Sequence, residues 1–368
     1  MARKPFFSIV IPTYNRAEDL MFALYCIFQQ SFINFEVIIS DNCSTDNTKK
    51  SIQQLMEKRI RYFKNKENID FVSNVGKAVS YAKGKYIFLH SDDDFMLYAD
   101  SLDKIYKDIK KTKAGYIRLN YICLSPDKKK VFHFKVNKQS RKNIYLKSHL
   151  QNSKILAFIM ESDPYFITGI IFKNGFSKYA QIVDADPSPW IEILFYVTSK
   201  FGAYFIARRN IVASWSQWRN KKGGNHPLFS LSGGRLKSEN FFEVVKGKVS
   251  KKEYEIFLHK HLMMIFVTLF PVIKVIVGNQ KMMAVAKRVN YLDPGMKGNP
   301  FFWIYLLGSL VTPAFILKKF KDSYLYIYAR FSRVENNNEI LNRLVELDND
   351  FLISRENVFS KKTKIFKF

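Results

Sequence analysis

At 368 residues the chain has room for one large domain or two smaller ones, and its 47% hydrophobic and 16% aromatic content excludes a disordered protein. Three cysteines, Cys26, Cys43 and Cys123, with no CxxC pair, exclude a disulfide framework and a cysteine-based zinc site, and they point to a reducing compartment. The net charge of +27 is uneven: residues 1–120 carry 19 Lys and Arg against 14 Asp and Glu, the remainder 40 against 18, so the second part calls for an anionic partner.

The N-terminal stretch MARKPFFSIVIPTYN has too short an apolar run for a signal peptide, and Pro12 interrupts it. Residues 8–11 are a short apolar strand closed by Pro12, Thr13, Tyr14 and Asn15, and Leu20, Leu24, Ile27 and Phe28 then recur at helical spacing over 18–31. A β-branched strand over 35–40 ends at Asp41 and Asn42. Ser44, Thr45 and Asp46 supply N-cap chemistry for a helix that turns Ile52, Leu55 and Met56 inward. A third strand over 59–64, a helix over 71–83 stopping at Gly84, and a fourth strand over 85–90 follow. Apolar strands alternating with helices predict a mostly parallel α/β sheet covered on both faces, which binds ligands outside the carboxyl ends of its strands.

That rule gathers Pro12 to Asn15, Asp41 with Asn42, and Ser91 to Asp94 around one crevice. Neither GxGxxG nor GxxxxGK[ST] is present, so phosphates must be held in some other way. A divalent cation on carboxylates is one substitute. The segment FLHSDDDF, residues 88–95, sets three carboxylates between apolar flanks. Either a cation and its substrate offset their repulsion, or the acids cap a following helix.

The stretches SIVIPTYNR (8–16), FEVIISDNCSTDNT (35–48) and GKYIFLHSDDD (84–94) resemble, in order, spacing and strand context, the family 2 glycosyltransferases of the GT-A fold. The resemblance covers roughly residues 5–125. It implies a Rossmann-like GT-A domain over 1–240, with a nucleotide-sugar half over 1–125 and an acceptor half over 126–240. A helical, basic, membrane-associating region would occupy 241–368. By the same resemblance, Pro12, Thr13, Tyr14 and Asn15 lie along the nucleotide, Asp41 hydrogen-bonds the base, and Asp46 belongs to the same signature. Asp92, Asp93 and Asp94 match the DxD element, which touches the ribose and holds Mn²⁺ or Mg²⁺ on the diphosphate. The usual family form is Asp-x-Asp-Asp, and Ser91 stands here in place of the first Asp. The direct ligand therefore stays open, with Asp94 favoured ahead of Asp92 or Asp93.

The implied reaction moves a sugar from a UDP-, GDP- or dTDP-sugar to an acceptor hydroxyl, with inversion and a carboxylate base. Asp184, Asp186 and Glu192 in VDADPSPWIE (183–192) are the candidate bases, Asp186 first; the alternative is a proline-rich loop whose acids cap the next helix. Residues 165–172 read as a strand in which Thr168 and Gly169 admit the acceptor, and 201–212 as another strand. The loop SWSQWRNKKGGNH (214–226) has the composition to close over a diphosphate through cations such as Arg219, with His226 as a candidate for the metal shell. No Gln-x-x-Arg-Trp element is present, which points to addition of a single sugar.

Beyond residue 240 the chain is helix-prone, basic and apolar. An uncharged run over 298–317, ending in Lys318 and Lys319, reads as an interfacial or re-entrant membrane segment, against a buried helix pair or a true span. This predicts a peripheral protein at the cytoplasmic face of the membrane, with an anionic membrane surface and a glycan or polyprenyl-diphosphate-linked acceptor as partners. Ile340, Leu341, Leu344 and Leu347 predict a last helix that packs on the body or pairs with a second copy in a homo-oligomer. Nucleic acid is not an expected partner, because no nucleic-acid-binding signature accompanies the charge. A nucleotidyltransferase is the competing enzyme class, although Pro12 to Asn15 supplies no glycine-rich loop.

Overall fold

Every residue of β1 (Phe7–Thr13) and β2 (Phe35–Asp41) is buried, the polar Ser8 and Glu36 included, as expected of mainly apolar strands covered on both faces. They alternate with α1 (Ala17–Phe28) and α2 (Thr48–Leu55), and β3 (Ile60–Lys64), α3 (Phe71–Ser80) and β4 (Tyr86–Leu89) continue the pattern. The computed structural model describes residues 4–124, 131–132, 142–164, 166–176, 190–213, 231–232, 234–236, 238–319 and 337–360. The chain divides into two units, one of Met1–Ile182, Trp190–Arg219 and Ser332–Phe368, the other of Val183–Pro189 and Asn220–Phe331.

In the first unit the chain goes on through β5 (Phe95–Met96), α4 (Ser101–Thr112), β6 (Tyr116–Leu124), β7 (Val131–Phe132), β8 (Ile144–Leu146), α5 (Asn152–Glu161), β9 (Ile170–Lys173), α6 (Trp190–Phe201) and β10 (Ala203–Ala213). The sheet runs β3-β2-β1-β4-β9-β6-β10-β5, with β7 on β6 and β8 on β10. Its first four strands are parallel, as the βα alternation predicts, but β9 joins antiparallel to both β4 and β6. The sheet is therefore mixed rather than mostly parallel. The strand expected over 165–172 forms only at Ile170–Lys173, after a turn that includes Gly169 at φ +86°. A Cβ there would lie 3.0 Å from the Leu119 Cβ, so the missing side chain lets the turn approach β6 closely.

Glu36 fastens the parallel strands together. Its carboxylate accepts from Ser8 Oγ (2.6 Å), Arg61 Nη1 (2.9 Å) and the Lys83 backbone N–H (2.7 Å). Gly84 follows directly, where a Cβ would come within 2.6 Å of the Ser8 nitrogen, so only glycine lets the chain turn into β4. The C-terminal helix (Asn337–Ser360) buries Ile340, Leu344 and Leu347, and Phe351 packs on Phe22 and Tyr25 of α1 with ring centroids 5.3 and 5.5 Å apart. It thus packs on the body.

The second unit holds the hairpin β11 (Leu231–Ser232) and β12 (Arg235–Leu236), and then α7 (Glu239–Lys246), α8 (Lys251–Leu262), α9 (Phe270–Leu292) and α10 (Pro300–Val311). Ser250 and Glu253 close a capping box on α8, which bends 70° into α9 through a π turn at Met263–Val267. The uncharged run over 298–317 breaks at Thr312 and Pro313. With 12 residues, α10 is roughly 18 Å long, short of the ~30 Å a span needs. Among the described residues no single helix is long and apolar enough to cross a membrane.

Burial acts to raise the Glu36 carboxyl, but hydrogen bonds from Ser8, Arg61 and Lys83 prevail and hold it below its ordinary value. Its stabilising effect is therefore complete above the unfolded-state pKa and is lost as pH falls through the lower folded-state pKa. Urea unfolding of Glu36→Gln should show a loss of roughly 2 kcal/mol at pH 7 that shrinks steadily below about pH 4.5.

Candidate active site

Because β1 lies between β2 and β4, with all three parallel, their carboxyl ends open on one edge of the sheet. Thr13 stands in register with Asp41, and the His90 N–H donates to Val10 O at 2.9 Å. The three polar clusters picked out in the sequence are therefore neighbours.

The loop after β1 is stapled to the loop after β2. Asn15, at φ +52°, accepts from the Thr45 N–H through Oδ1 (2.7 Å), and its own N–H donates to Ser44 Oγ (2.9 Å). Asp46 accepts the Ala17 N–H at the start of α1 (3.0 Å) and the Thr48 N–H at the start of α2 (3.0 Å). Burial pushes the Asp46 carboxyl up, yet the bonds from Thr48 and Ala17 hold it below its usual value. Asn15 and Asp46 thus fix the loops in place, while Tyr14 stays exposed. Asp41 is fully buried; its Oδ1 accepts the Ser44 N–H at 2.7 Å and its Oδ2 accepts the Tyr62 hydroxyl. Burial and that carboxylate push the Tyr62 hydroxyl well up, so it stays a donor.

The three acids do not converge. Asp92 Oδ2 accepts from Thr13 Oγ1 (2.7 Å), and Asp92 Oδ1 and Asp93 Oδ2 both accept from Arg16 Nη1 (3.0 and 2.9 Å). Ser91 Oγ donates to Asp93 Oδ1 at 2.5 Å. Asp94 turns instead to Thr168 Oγ1, which also receives the Ser91 N–H at 2.9 Å. Arg118, wholly buried, holds that turn by donating to Ser162 O (2.7 Å) and Thr168 O (2.6 Å). The acids run into β5, and the next helix starts at Ser101, so the helix-cap reading of this stretch does not hold.

Burial pushes the Asp92 carboxyl up to about 7, against the pull of Arg16 and with the help of Asp93. His90, buried beneath the loop, is pushed down to about 4 and stays neutral at ordinary pH. Arg16, the neighbour of Asn15 in sequence, was not among the expected site residues, nor was Arg118. A cation one residue past a predicted site loop was the signal for Arg16. Arg118 gave none, because only the sheet brings it beneath Thr168.

Glu192 sits half-buried in the first turn of α6. Asp184, Asp186, Arg219 and His226 lie outside the described residues. Among the described residues no three His, Cys, Asp or Glu side chains gather as a closed metal nest. Buried hard oxygens on one or two carboxylates still suit Mg²⁺ or Mn²⁺ when a diphosphate completes the shell. The described residues therefore fit a metal shared with substrate rather than one caged by them alone.

Residues 8–165 match the model described as glycosyl transferase family 2. This part of the chain is a family 2 glycosyltransferase domain. Among curated relatives, the GalNAc(5)-diNAcBac-PP-undecaprenol beta-1,3-glucosyltransferase of Campylobacter jejuni is 32% identical over 123 residues, 33% of this chain and 38% of its own. The poly(ribitol-phosphate) beta-N-acetylglucosaminyltransferase TarS of Staphylococcus aureus is 27% identical over 246 residues, 65% of this chain and 39% of its own. The chain spans half or less of the length of the first curated relatives it matches. A crystal structure of S. aureus TarS 1–349 with UDP-GlcNAc superposes with a TM-score of 0.55 at 15% identity, covering 86% of this chain and 92% of that one. The glycosyltransferase domain thus has the mixed α/β arrangement expected of a GT-A fold.

Replacing Arg16 by Met leaves two buried carboxylates without their guanidinium. The folded protein then holds a proton more tightly than wild type, so the penalty grows as pH rises. Urea unfolding in EDTA should show a loss of roughly 3 kcal/mol at pH 8 and a clearly smaller one at pH 6.

Proposed function

We propose that the protein transfers a sugar from a nucleoside-diphosphate sugar to a hydroxyl of a glycan or polyprenyl-diphosphate-linked acceptor, as a step in bacterial polysaccharide synthesis. The observation that carries this reading is the shared edge at the ends of β1, β2 and β4. It brings Thr13, Asp41 and the Asp92–Asp94 run together inside a family 2 domain. Relatives named for undecaprenol-linked substrates support the acceptor class.

In this reading Asp41 receives an N–H of the base while Tyr62 and the Ser44 N–H fix its oxygens. Thr13 and Arg16 hold Asp92 and Asp93 at the edge where the ribose and diphosphate lie. Asp94, steadied by Thr168, is the first candidate to hold Mn²⁺ or Mg²⁺ with the diphosphate oxygens, Asp92 or Asp93 the next. Such a cation would offset charge on the leaving diphosphate. The acceptor proton goes to a carboxylate on the opposite face of the sugar, with Asp186 ahead of Asp184 and Glu192, and the product is inverted. One sugar is added per encounter.

Calorimetric titration with UDP, GDP, dTDP and CMP, each with Mn²⁺ and with EDTA, tests the donor site. One nucleoside diphosphate should bind in a metal-dependent way, and Asp94→Ala should weaken it at least tenfold with the fold intact by circular dichroism. Turnover should release that nucleoside diphosphate; release of pyrophosphate would instead assign a nucleotidyltransferase.

A further inference from the structure

The second unit presents an apolar helix face that its own packing does not use. α10 buries Phe302, Leu306 and Ser309 against the unit, with the Phe302 ring 5.7 Å from that of Phe270. Its opposite side carries Phe301, Ile304, Leu307 and Val311 at helical spacing, and Phe315 follows beyond Pro313. Val311 is 82% exposed and Ile304 63%. A water-facing helix normally spends these positions on charged side chains. Here the whole run from 298 to 317 carries none.

The polar groups of this helix are met from within. Asn299 accepts the Phe301 N–H through its side chain (3.0 Å) and the Phe302 N–H through its carbonyl (3.1 Å), and Pro300 has no N–H to satisfy. At the other end the buried Lys274 ammonium donates to the carbonyls of Ser309 (2.8 Å), Leu310 (3.1 Å) and Thr312 (2.9 Å). The Ser309 hydroxyl donates to Tyr305 O (2.6 Å), and the Trp303 indole N–H donates to Lys297 O (2.8 Å). A surface helix leaves its last carbonyls to water at little cost. Spending a buried lysine on them makes sense where water is scarce, as it is among acyl chains.

Charge identifies what covers the face. Exposed Lys297 lies before α10 and exposed Lys318 and Lys319 after it, with no acidic residue from 294 to 319. A second copy docked face to face on this helix would set these lysines against one another. An anionic lipid surface complements them and takes up the apolar stripe between them.

We propose that α10 is an interfacial membrane-docking helix that lies in the plane of an anionic bilayer, with Phe301, Ile304, Leu307 and Val311 among the acyl chains and Lys297, Lys318 and Lys319 at the headgroups. The proposal rests on the second unit alone and stands independently of the transferase reading.

Co-sedimentation of the full chain with vesicles tests it, using phosphatidylglycerol mixed with phosphatidylcholine and phosphatidylcholine alone. Binding should favour the anionic vesicles at least tenfold and weaken with salt. The double substitution Ile304→Asp and Val311→Asp should lower it at least tenfold, with the circular dichroism spectrum and Tm unchanged. Brominated lipids should quench Trp303 emission, read as the difference from Trp303→Phe. Equal vesicle binding by wild type and the double variant would overturn the proposal. So would a concentration-dependent dimer in sedimentation velocity that this variant abolishes, without vesicle binding, since the face would then belong to a second copy.

Discussion

Two buried carboxylates sharing one guanidinium set the terms for the rest of the glycosyltransferase domain. Asp92 and Asp93 both lean on Arg16, and each also takes a hydroxyl, from Thr13 and Ser91 respectively. Taken out of water without such partners, either charge would cost several kcal/mol. The arrangement exists because Thr13 and Arg16 leave β1 while the acids leave β4, and these two strands are hydrogen-bonded neighbours. The strand pairing and the acid cluster therefore support one another. Asp94 faces a second anchor, since Thr168 holds it and Arg118 holds the turn that carries Thr168. The floor of the candidate site is thus held by the protein's own hydrogen bonds and ion pairs.

The strong positive charge of the chain divides into cations with quite different work. Arg16 and Arg118 are internal fixtures of the first unit. In the second, Arg288 and Arg235 share Glu239, and Lys274 caps α10. Of these only Arg235 is exposed, as Lys297, Lys318 and Lys319 are. Net charge in the sequence counts all of them alike, and so overstates the basic surface while hiding where its useful part lies.

The site was legible to the extent that it depends on strand ends. Each of the three polar clusters follows a mainly apolar strand, and parallel strands deliver such clusters to one edge. The distribution of work within the clusters was not legible. Asn15 and Asp46 proved to hold loops to each other, because backbone N–H groups left over at the starts of α1 and α2 need acceptors. Asp94 parted from its neighbours because Thr168, on a distant turn, offers it a donor.

What the sequence determined by itself was local in origin: the βα alternation of the first 90 residues, the motif order of a family 2 glycosyltransferase, the last amphipathic helix, and an apolar run bounded by lysines. Periodicity and turn chemistry act over a few residues and leave their mark in the chain. Only the tertiary structure decided that β9 enters antiparallel, that Arg16 and Arg118 anchor the acids, and that Lys274 spends its charge on the end of α10. Those outcomes depend on which buried polar group lies within 3 Å or so of which other, and residues far apart in sequence meet at that distance only once the sheet and helices have packed.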